Sequence, residues 1–170
     1  MELDKLVQIR RSVRAYGDDK VLEDDIKTII ECCQLAPSWK NTQTGRYYVA
    51  LSDEAIHEVF IGLPDFNQNS SKNAAYIVST YKKGLSGAGS KEGDLWGAYD
   101  LGLQNAYLML KASELGYDTL IMGLRDEDHL RAYFNILEDE ILLPVIAIGK
   151  RSKEPNTPVR KHLDEILVVK

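Results

Sequence analysis

Cysteine and histidine, the side chains that most transition-metal centres require, are scarce in this chain. Its 170 residues include two cysteines and three histidines. Cys32 and Cys33 are adjacent, a spacing that suits neither a metal site nor a disulfide framework. The histidines lack the HExxH and Cys/His spacings of zinc proteins, so we expect them on the surface of helices: His57, His129 and His162. We predict no bound metal and a reduced, cytoplasmic setting.

Long apolar runs and an excess of basic charge are also missing. The longest apolar run, near Ile141–Gly149, is far short of the ~20 residues that span a bilayer. The first ten residues, MELDKLVQIR, carry charges where a signal peptide would be apolar. The net charge is -5, whereas proteins that bind nucleic acids or membrane surfaces need a basic field. We therefore expect neither nucleic acid nor a membrane as a partner.

Sequence motifs for nucleophilic catalysis and phosphate loops are absent as well. The glycine-rich stretch GLSGAGSKEG, residues 84–93, fits neither the GxxxxGK loop nor the GxGxxG fingerprint. It also lacks the GxSxG of hydrolases. We interpret this stretch as a flexible loop, with a lid as the alternative. These absences leave no nucleophile with a neighbouring base.

Hydrophobic periodicity predicts one mixed α/β domain over residues 1–170, with 44% hydrophobic and 28% charged residues. Helices are predicted from Leu3 to Arg10 and at Glu23–Ala36, Asp53–Phe60, Asp94–Leu115 and Asp126–Phe134. Strands are predicted at Tyr47–Leu51, Ala74–Tyr81, Asp118–Met122 and Leu142–Ile148. Cys33 lies on the apolar stripe of the second helix and is predicted to be a buried thiol.

The fourth predicted helix is apolar nearly all round. Between Leu95 and Ala112 its only charges are Asp100 and Lys111, and small residues at positions 97, 98, 102 and 106 would let another backbone approach. At ~1.5 Å per residue it is about 30 Å long, close to the diameter of such a domain. Because one small domain can hardly cover every face of this helix, we predict a homodimer that packs through it. A monomer with a central helix is the alternative.

The stretch RRSVRAY, Arg10–Tyr16, concentrates positive charge in an acidic chain. If it is extended, Arg10, Ser12 and Arg14 face one way; if it is helical, Arg10, Arg11 and Arg14 share a face. Either arrangement suits bidentate recognition of a phosphate. Local ion pairs are the alternative, and local composition does not decide between the two; the candidate acids are Asp18, Asp19, Glu23 and Asp24.

A second polar cluster follows Pro37, which is predicted to stop the second helix. Ser38, Asn41 and Gln43 place three uncharged hydrogen-bonding side chains in a short loop before a strand. Amides donate and accept at once, which is the mixture that the edge of a flavin pyrimidine ring needs. A plain polar turn is the alternative.

Together the two stretches resemble the nitroreductase family of FMN-dependent oxidoreductases. An RRSxRxF-like opening is matched by RRSVRAY, and an APSxxNxQPW-like stretch is matched at Ala36, Pro37, Ser38, Asn41 and Gln43. ELGYDTLIMG, VIAIGK and PVRKHLDEIL follow in the family's order, so the resemblance covers essentially the whole chain. It implies an α+β fold with a mixed, mainly antiparallel sheet flanked by helices. It also implies a homodimer with the FMN site at the subunit interface.

The resemblance assigns roles to four groups of residues. Arg10, Arg11, Ser12 and Arg14 would hold the FMN phosphate and ribityl chain, with Arg10 reaching toward the ring. Pro37, Ser38 and Asn41, with Gln43 in the same loop, would lie near the flavin bound mainly by the partner subunit. Leu120, Ile121, Met122 and Gly123 would pass along the ring, with the N–H of Met122 or Gly123 near flavin N5. Arg160 or Lys161 would add a cation at the phosphate.

The implied activity is hydride transfer from NAD(P)H through FMN to a nitroaromatic, a quinone or a similar small acceptor by a ping-pong mechanism. Reductive dehalogenation, flavin fragmentation, and flavin storage or sensing without turnover are the alternatives. Thr44 and Gly45 replace the family's Pro-Trp, and the chain is short, so we expect no elaborate lid. For Trp39, stacking on substrate and packing in a dimer are both open.

Overall fold

Six α-helices and four strands form in the computed structural model, which describes residues 2–170. The helices are α1 (Leu3–Ile9), α2 (Glu23–Gln34), α3 (Asp53–Ile61), α4 (Asp65–Ser70), α5 (Leu95–Glu114) and α6 (Glu127–Phe134). The strands are β1 (Gly45–Ala50), β2 (Ala75–Lys82), β3 (Asp118–Met122) and β4 (Glu140–Gly149). Short 3-10 turns lie at Trp39–Asn41 and Leu163–Glu165.

The strands form one antiparallel sheet in the order β1-β2-β4-β3, so β1 and β3 are its edges. An isolated parallel bridge joins Ser12 to Thr119 of β3. Because β4 occupies the inner side of β3, Ser12 lies on its outer side. The predicted α+β class, with a mainly antiparallel sheet flanked by helices, is confirmed.

The core covers both faces of the sheet, because side chains alternate along the central strand β2. Tyr76 and Val78 belong to one buried cluster. Ile77, between them, belongs to the other cluster, together with Ile29 of α2 and Leu108 of α5. The α2 and α5 helices therefore form a layer on one side of the sheet, and α5 contacts β1, β2 and β3.

The helix α2 begins at Glu23 with three acidic residues, which suit the partial positive charge of a helix N-terminus. Its predicted end at Ala36 is wrong by two residues, because the helix ends at Gln34 and the chain turns there. The Ala36 N–H donates to the Cys33 carbonyl (3.1 Å), just before Pro37. Cys33 is buried as predicted, and burial raises the pKa of its thiol to about 12, so the thiol stays protonated at neutral pH.

Several details of the other elements differ from the prediction. The strand β1 begins at Gly45, where a Cβ atom would lie 1.9 Å from the Gln104 Oε1, so a side chain at this position would displace the Gln104 amide. The helix α4 is missing from the prediction because its sequence, DFNQNS, has no apolar periodicity. His162 lies exposed before a 3-10 turn and not on a helix. Within residues 2–170, no helix has the length and apolar content to cross a bilayer.

One side of α5 is not covered by its own chain. Leu101 and Leu108 are buried, whereas Leu95, Tyr99 and Tyr107 remain 69%, 58% and 37% exposed. The expectation that this domain alone leaves part of the helix uncovered is therefore confirmed.

The small residues of α5 serve different purposes. At Gly97 an added Cβ would lie 2.5 Å from the Tyr81 ring, so this glycine makes room for a contact inside the chain. This contact corrects the expectation that Gly97 admits another backbone. At Gly102 an added Cβ would meet nothing within 4 Å, and this position stays open to a second chain.

Candidate functional site

Residues Arg10–Tyr16, the arginine segment, are extended and lie against the outer edge of β3. The Val13 N–H donates to the Thr119 carbonyl (3.1 Å), beside the bridge from Ser12 to Thr119. Ser12 and Arg14 are exposed on either side of the fully buried Val13. Of the two predicted arrangements the extended one is therefore correct.

The arginines of this segment have no carboxylate partner among residues 2–170. Arg11 and Arg14 each donate one bond to a backbone carbonyl, those of Arg10 (2.8 Å) and Ser12 (3.3 Å). Most of the five N–H donors of each guanidinium therefore have no protein acceptor. The nearby acids are paired elsewhere: Asp18 with Asn73, Asp19 with Lys150, and Glu23 and Asp24 with Lys27. The alternative of local ion pairs is wrong.

A fourth arginine from the C-terminal region joins the cluster. The pKa of Arg10 lies below its usual value because the guanidinium is partly buried and because the charges of Arg160 and Arg11 repel it. The repulsion shows that Arg160 lies near Arg10, although the two are far apart in sequence. Lys161 lies 3.9 Å from Glu165, so its charge has a partner. Of the two tail cations predicted for the phosphate, Arg160 is the one that reaches the cluster.

A cavity of about 660 Å³ adjoins Arg14 at the outer edge of β3. Its volume falls within the ~300–1,000 Å³ typical of small-molecule sites. The predicted strand residues line it: Leu120, Ile121, Met122 and Gly123. The structure thus brings the two predicted groups, the arginine segment and the end of β3, to one place.

The peptide groups of β3 alternate between this cavity and the sheet. The Thr119 carbonyl faces the arginine segment, and residues two apart in a strand direct their peptide groups to the same side. The peptide group of Ile121 therefore faces outward, whereas that of Met122 faces β4, where Met122 pairs with Val145. If the same alternation continues one residue past the strand, the peptide group of Gly123 faces outward like that of Ile121. Of the two N–H groups that the resemblance offers to a ligand, that of Gly123 is the better placed.

An ion pair at the start of β3 holds the arginine segment in position. Arg151 donates to both carboxylate oxygens of Asp118, from Nε to Oδ2 (2.9 Å) and from Nη2 to Oδ1 (2.5 Å). These bonds raise the pKa of Arg151 above its usual value. The backbone of Arg151 bridges to Tyr16, whose hydroxyl donates to the Val13 carbonyl (3.1 Å). The ion pair therefore joins the start of β3 to Arg151, the second residue after β4. The bridge from Arg151 to Tyr16 then attaches the arginine segment to the same corner of the sheet.

The α4 helix supplies cavity residues that the sequence analysis missed. Phe66, Asn67 and Ser70 line the same cavity as Arg14. The buried amide of Asn67 donates to the Leu124 carbonyl (3.0 Å), which fixes α4 against the segment that follows β3. The ring of Phe66 stays 57% exposed. No motif or apolar stripe in DFNQNS could have indicated this role before the topology was known.

The polar loop, Pro37–Gln43, turns tightly around Ser38. The Ser38 Oγ accepts from the Gln43 N–H (3.0 Å), and the Gln43 Nε2 donates to the Asn41 Oδ1 (3.3 Å). Lys40, Asn41 and Gln43 have positive φ values of 47°, 57° and 47°. This left-handed geometry costs a non-glycine residue about 1–3 kcal/mol and is frequent at functional sites. The alternative of a plain polar turn does not describe this strained loop, whose Asn41 and Gln43 amides are exposed.

The polar loop and the arginine segment lie at opposite edges of the sheet. The loop leads into β1, whereas the arginine segment borders β3. Two strands lie between these edges, which puts them about 14 Å apart at ~4.8 Å per strand. One chain therefore does not bring Ser38, Asn41 and Gln43 to the cavity beside Arg14.

Trp39 packs within its own chain. Its ring centroid lies 5.1 Å from that of Trp96 on α5, and Trp96 lies 5.5 Å from Tyr99. The buried indole N–H groups of Trp39 and Trp96 have no hydrogen-bond acceptor. Neither expectation for Trp39 included this contact.

The arginine edge is chemically suited to an organic ligand that carries a phosphate. Three guanidinium groups and the Ser12 hydroxyl offer donors, and the lining of β3 and α4 offers apolar surface for a ring. Within residues 2–170, no group of three or more histidine, cysteine or carboxylate side chains could hold a metal ion.

Known proteins resemble this chain in both sequence and fold. The family model described as the nitroreductase family matches residues 7–84, which include the arginine segment and the polar loop. A protein of Archaeoglobus fulgidus, provisionally named NADH dehydrogenase/NAD(P)H nitroreductase, is 24% identical over 149 residues, covering 85% of this chain and 83% of the relative.

Two solved structures show the same fold over nearly the full chain. A provisionally named nitroreductase of Exiguobacterium sibiricum, in complex with FMN, superimposes with a TM-score of 0.87 at 24% identity, covering 100% of this chain and 98% of its own. A nitroreductase family protein of Streptococcus pneumoniae also gives 0.87, at 20% identity, covering 99% and 100%.

Proposed function

We propose that this chain is a member of the nitroreductase family and acts as an FMN-dependent oxidoreductase, a proposal supported by the match to the family model and by the shared fold. In this proposal NAD(P)H is the hydride donor, and a nitroaromatic, a quinone or a similar small molecule is the acceptor. Donor and acceptor bind in turn, in a ping-pong mechanism.

The unpaired arginine cluster is the observation that carries the proposal. The charges of Arg160 and Arg11 both repel that of Arg10, and no carboxylate of residues 2–170 pairs with the arginine segment. Such repulsion is relieved when an anion lies between the charges, and a phosphate accepts bidentate bonds from guanidinium groups. Arg14, in the same segment, lines the cavity. We therefore assign the FMN phosphate and ribityl chain to these arginines and to Ser12.

Bound FMN supplies the hydride chemistry for which the chain has no side chain. The protein binds and orients it. In this assignment Arg10 would reach toward the ring, and the outer edge of β3 from Leu120 to Gly123 would pass along it. The Gly123 N–H would offer a donor to the ring, and the α4 residues that line the same cavity would limit the entry of water.

Two chains are required to complete this site. The exposed side of α5 and the C-terminal residues leave extensive apolar surface uncovered, including Ile166, Leu167, Val168 and Val169 at 68%, 50%, 80% and 83% exposure. Apolar surface of this kind marks an interaction site. A homodimer would cover it and would place the polar loop of one chain at the arginine edge of its partner.

The exposed wall of the cavity favours planar acceptors. Phe66 and Ile121 are 57% and 45% exposed and line the same cavity. Aromatic rings pack favourably against such side chains in offset or edge-to-face geometry. A nicotinamide or a nitroaromatic ring fits this surface better than a flexible aliphatic substrate.

Steady-state kinetics test the proposed activity. Initial rates of NAD(P)H oxidation at several acceptor concentrations should give parallel double-reciprocal lines, because donor and acceptor use one cavity in turn. Intersecting lines would mean that both bind together, and the shared site would be wrong. Bound FMN with no oxidation of NAD(P)H by nitroaromatics or quinones would instead identify a storage or sensing protein.

A further inference from the structure

A buried carboxylate on α5 connects the polar loop to the glycine-rich stretch, residues 84–93. Asp100 is 2% exposed, and within residues 2–170 no cationic side chain pairs with it. Its Oδ2 accepts from the Trp39 backbone N–H (3.0 Å) and from the Ser86 Oγ (2.5 Å). Asp100 is not one of the residues assigned to FMN, yet one of its partners, Trp39, belongs to the polar loop.

The direction of each hydrogen bond in this network follows from the number of protons available. A carboxylate only accepts, so Ser86 donates its single hydroxyl proton to Asp100. The Thr42 hydroxyl lies 2.9 Å from the Ser86 Oγ and must therefore donate to it. Asp100 thus holds Trp39 directly and Thr42 through Ser86, and these two residues flank Lys40 and Asn41.

The glycine-rich stretch is shaped to present Ser86. Ser86 and Gly87 are buried, and Gly87 has a φ of 75°. A Cβ at Gly87 would lie 2.1 Å from the Gly93 carbonyl oxygen, so the turn admits only glycine there. The Asp94 carboxylate accepts from the Gly84 N–H (2.7 Å) and closes the stretch. The segment expected to be a flexible loop or a lid is therefore anchored at its centre.

We propose that Asp100 is a positioning residue that holds the polar loop in the geometry needed to meet a flavin ring. Lys40 and Asn41 adopt left-handed geometry that non-glycine residues hold only when their surroundings impose it. The bonds from Asp100 fix the residues on both sides of them. The inference rests on the proposed FMN function. It assigns to Ser86 the role of connecting Asp100 to Thr42 through hydrogen bonds, and this connection is the relay.

Two variants separate the direct bond from the relay. Asp100→Ala removes both acceptor contacts without leaving a buried charge, and Ser86→Ala cuts only the relay to Thr42 and keeps the bond to Trp39. Ser79→Ala is the matched control for Ser86→Ala, because Ser79 is a fully buried serine on β2 whose hydroxyl has no hydrogen-bond partner.

Amide hydrogen exchange on flavin-free protein measures the loop directly. In Asp100→Ala the amides of residues 39–43 should exchange about 10- to 100-fold faster, because a bond to a charged acceptor is lost. In Ser86→Ala the acceleration should be about 2- to 10-fold, and in Ser79→Ala the loop should exchange as in the wild type.

Titration with FMN and with riboflavin then tests the link to the ligand. The loop is assigned to the ring and not to the phosphate, so Asp100→Ala should raise both dissociation constants by the same factor. Unchanged exchange in the loop would overturn the proposal, as would faster exchange with unchanged affinity for both flavins. If the wild type binds neither flavin, the proposed function itself is wrong and this role falls with it.

Discussion

At the β3 edge, Arg10 lies near Arg11 and Arg160, Arg14 lines the cavity, and none of the three arginines of the segment has a carboxylate partner among residues 2–170. At the β1 edge, a loop of uncharged amides is held in strained geometry by hydrogen bonds to a buried carboxylate. The first arrangement suits a charged group that arrives from solution, and the second suits the orientation of a planar ring edge. The comparison indicates that affinity for the phosphate resides at the β3 edge alone, whereas both edges contribute to the placement of the ring.

The two edges also differ in what they need from a partner. The arginine edge contains its own cavity, whereas the polar loop is separated from that cavity by the width of the sheet. If the proposed dimer joins the two edges, a variant in the arginine segment should weaken the binding of FMN but not of riboflavin. A variant in the polar loop should weaken the binding of both flavins equally.

The largest effect is expected from Gly102→Trp, which should abolish both the dimer and flavin binding. A Cβ added at this exposed position meets nothing within 4 Å in its own chain, so we expect the fold to tolerate a side chain there while a partner helix cannot approach. Light scattering should report the 19.2 kDa monomer, against twice that mass for the wild type. Thr28→Trp, on the exposed side of α2, is the control and should remain dimeric. A dimeric Gly102→Trp that binds FMN would place the interface elsewhere.

Arg14→Ala should come next, with a 10- to 100-fold weaker affinity for FMN. Loss of a charge-assisted bond costs about 1.5–3 kcal/mol, and about 1.4 kcal/mol corresponds to tenfold. Riboflavin affinity should be unchanged, because riboflavin has no phosphate. Arg14→Lys should restore only part of the loss, since an ammonium lacks the fork geometry.

The control for Arg14→Ala is Lys72→Ala, which removes one exposed positive charge far from the arginine segment in sequence. Equal FMN dissociation constants for the wild type, Arg14→Ala and Arg14→Lys would remove Arg14 from the site.

Asn41→Gly should have the smallest effect, a 2- to 10-fold loss of affinity that is equal for FMN and riboflavin. Glycine accepts the φ of 57° without strain, so the change removes the amide contacts and little else. A neutral hydrogen bond is worth about 0.5–1.5 kcal/mol, which sets the range. Asn135→Gly, at another left-handed asparagine, is the control. A loss for FMN alone would assign Asn41 to the phosphate.

Elements with a strong apolar pattern could be predicted from the sequence, and those without one could not. The strand β3 has the predicted bounds of Asp118–Met122, because its last three residues are apolar and because Gly116 and Gly123 lie close to its two ends. The α4 helix has no stripe, and its role depends on a contact between Asn67 and the chain after β3.

The arginine segment was recognisable from its charge density and its motif, but its conformation and the absence of ion pairs depend on Thr119 and Arg160, which lie far away in sequence. The sequence did not indicate a role for Asp100, because a single carboxylate in a helix is normally a solvated residue. Only the tertiary structure shows that it is buried between two loops.

The central claim is that the arginine edge holds FMN, and the visible absorption spectrum of the purified protein tests it most directly. The protein should be yellow, and heat or acid should release FMN and not FAD. A colourless protein that takes up no added FMN would contradict the claim.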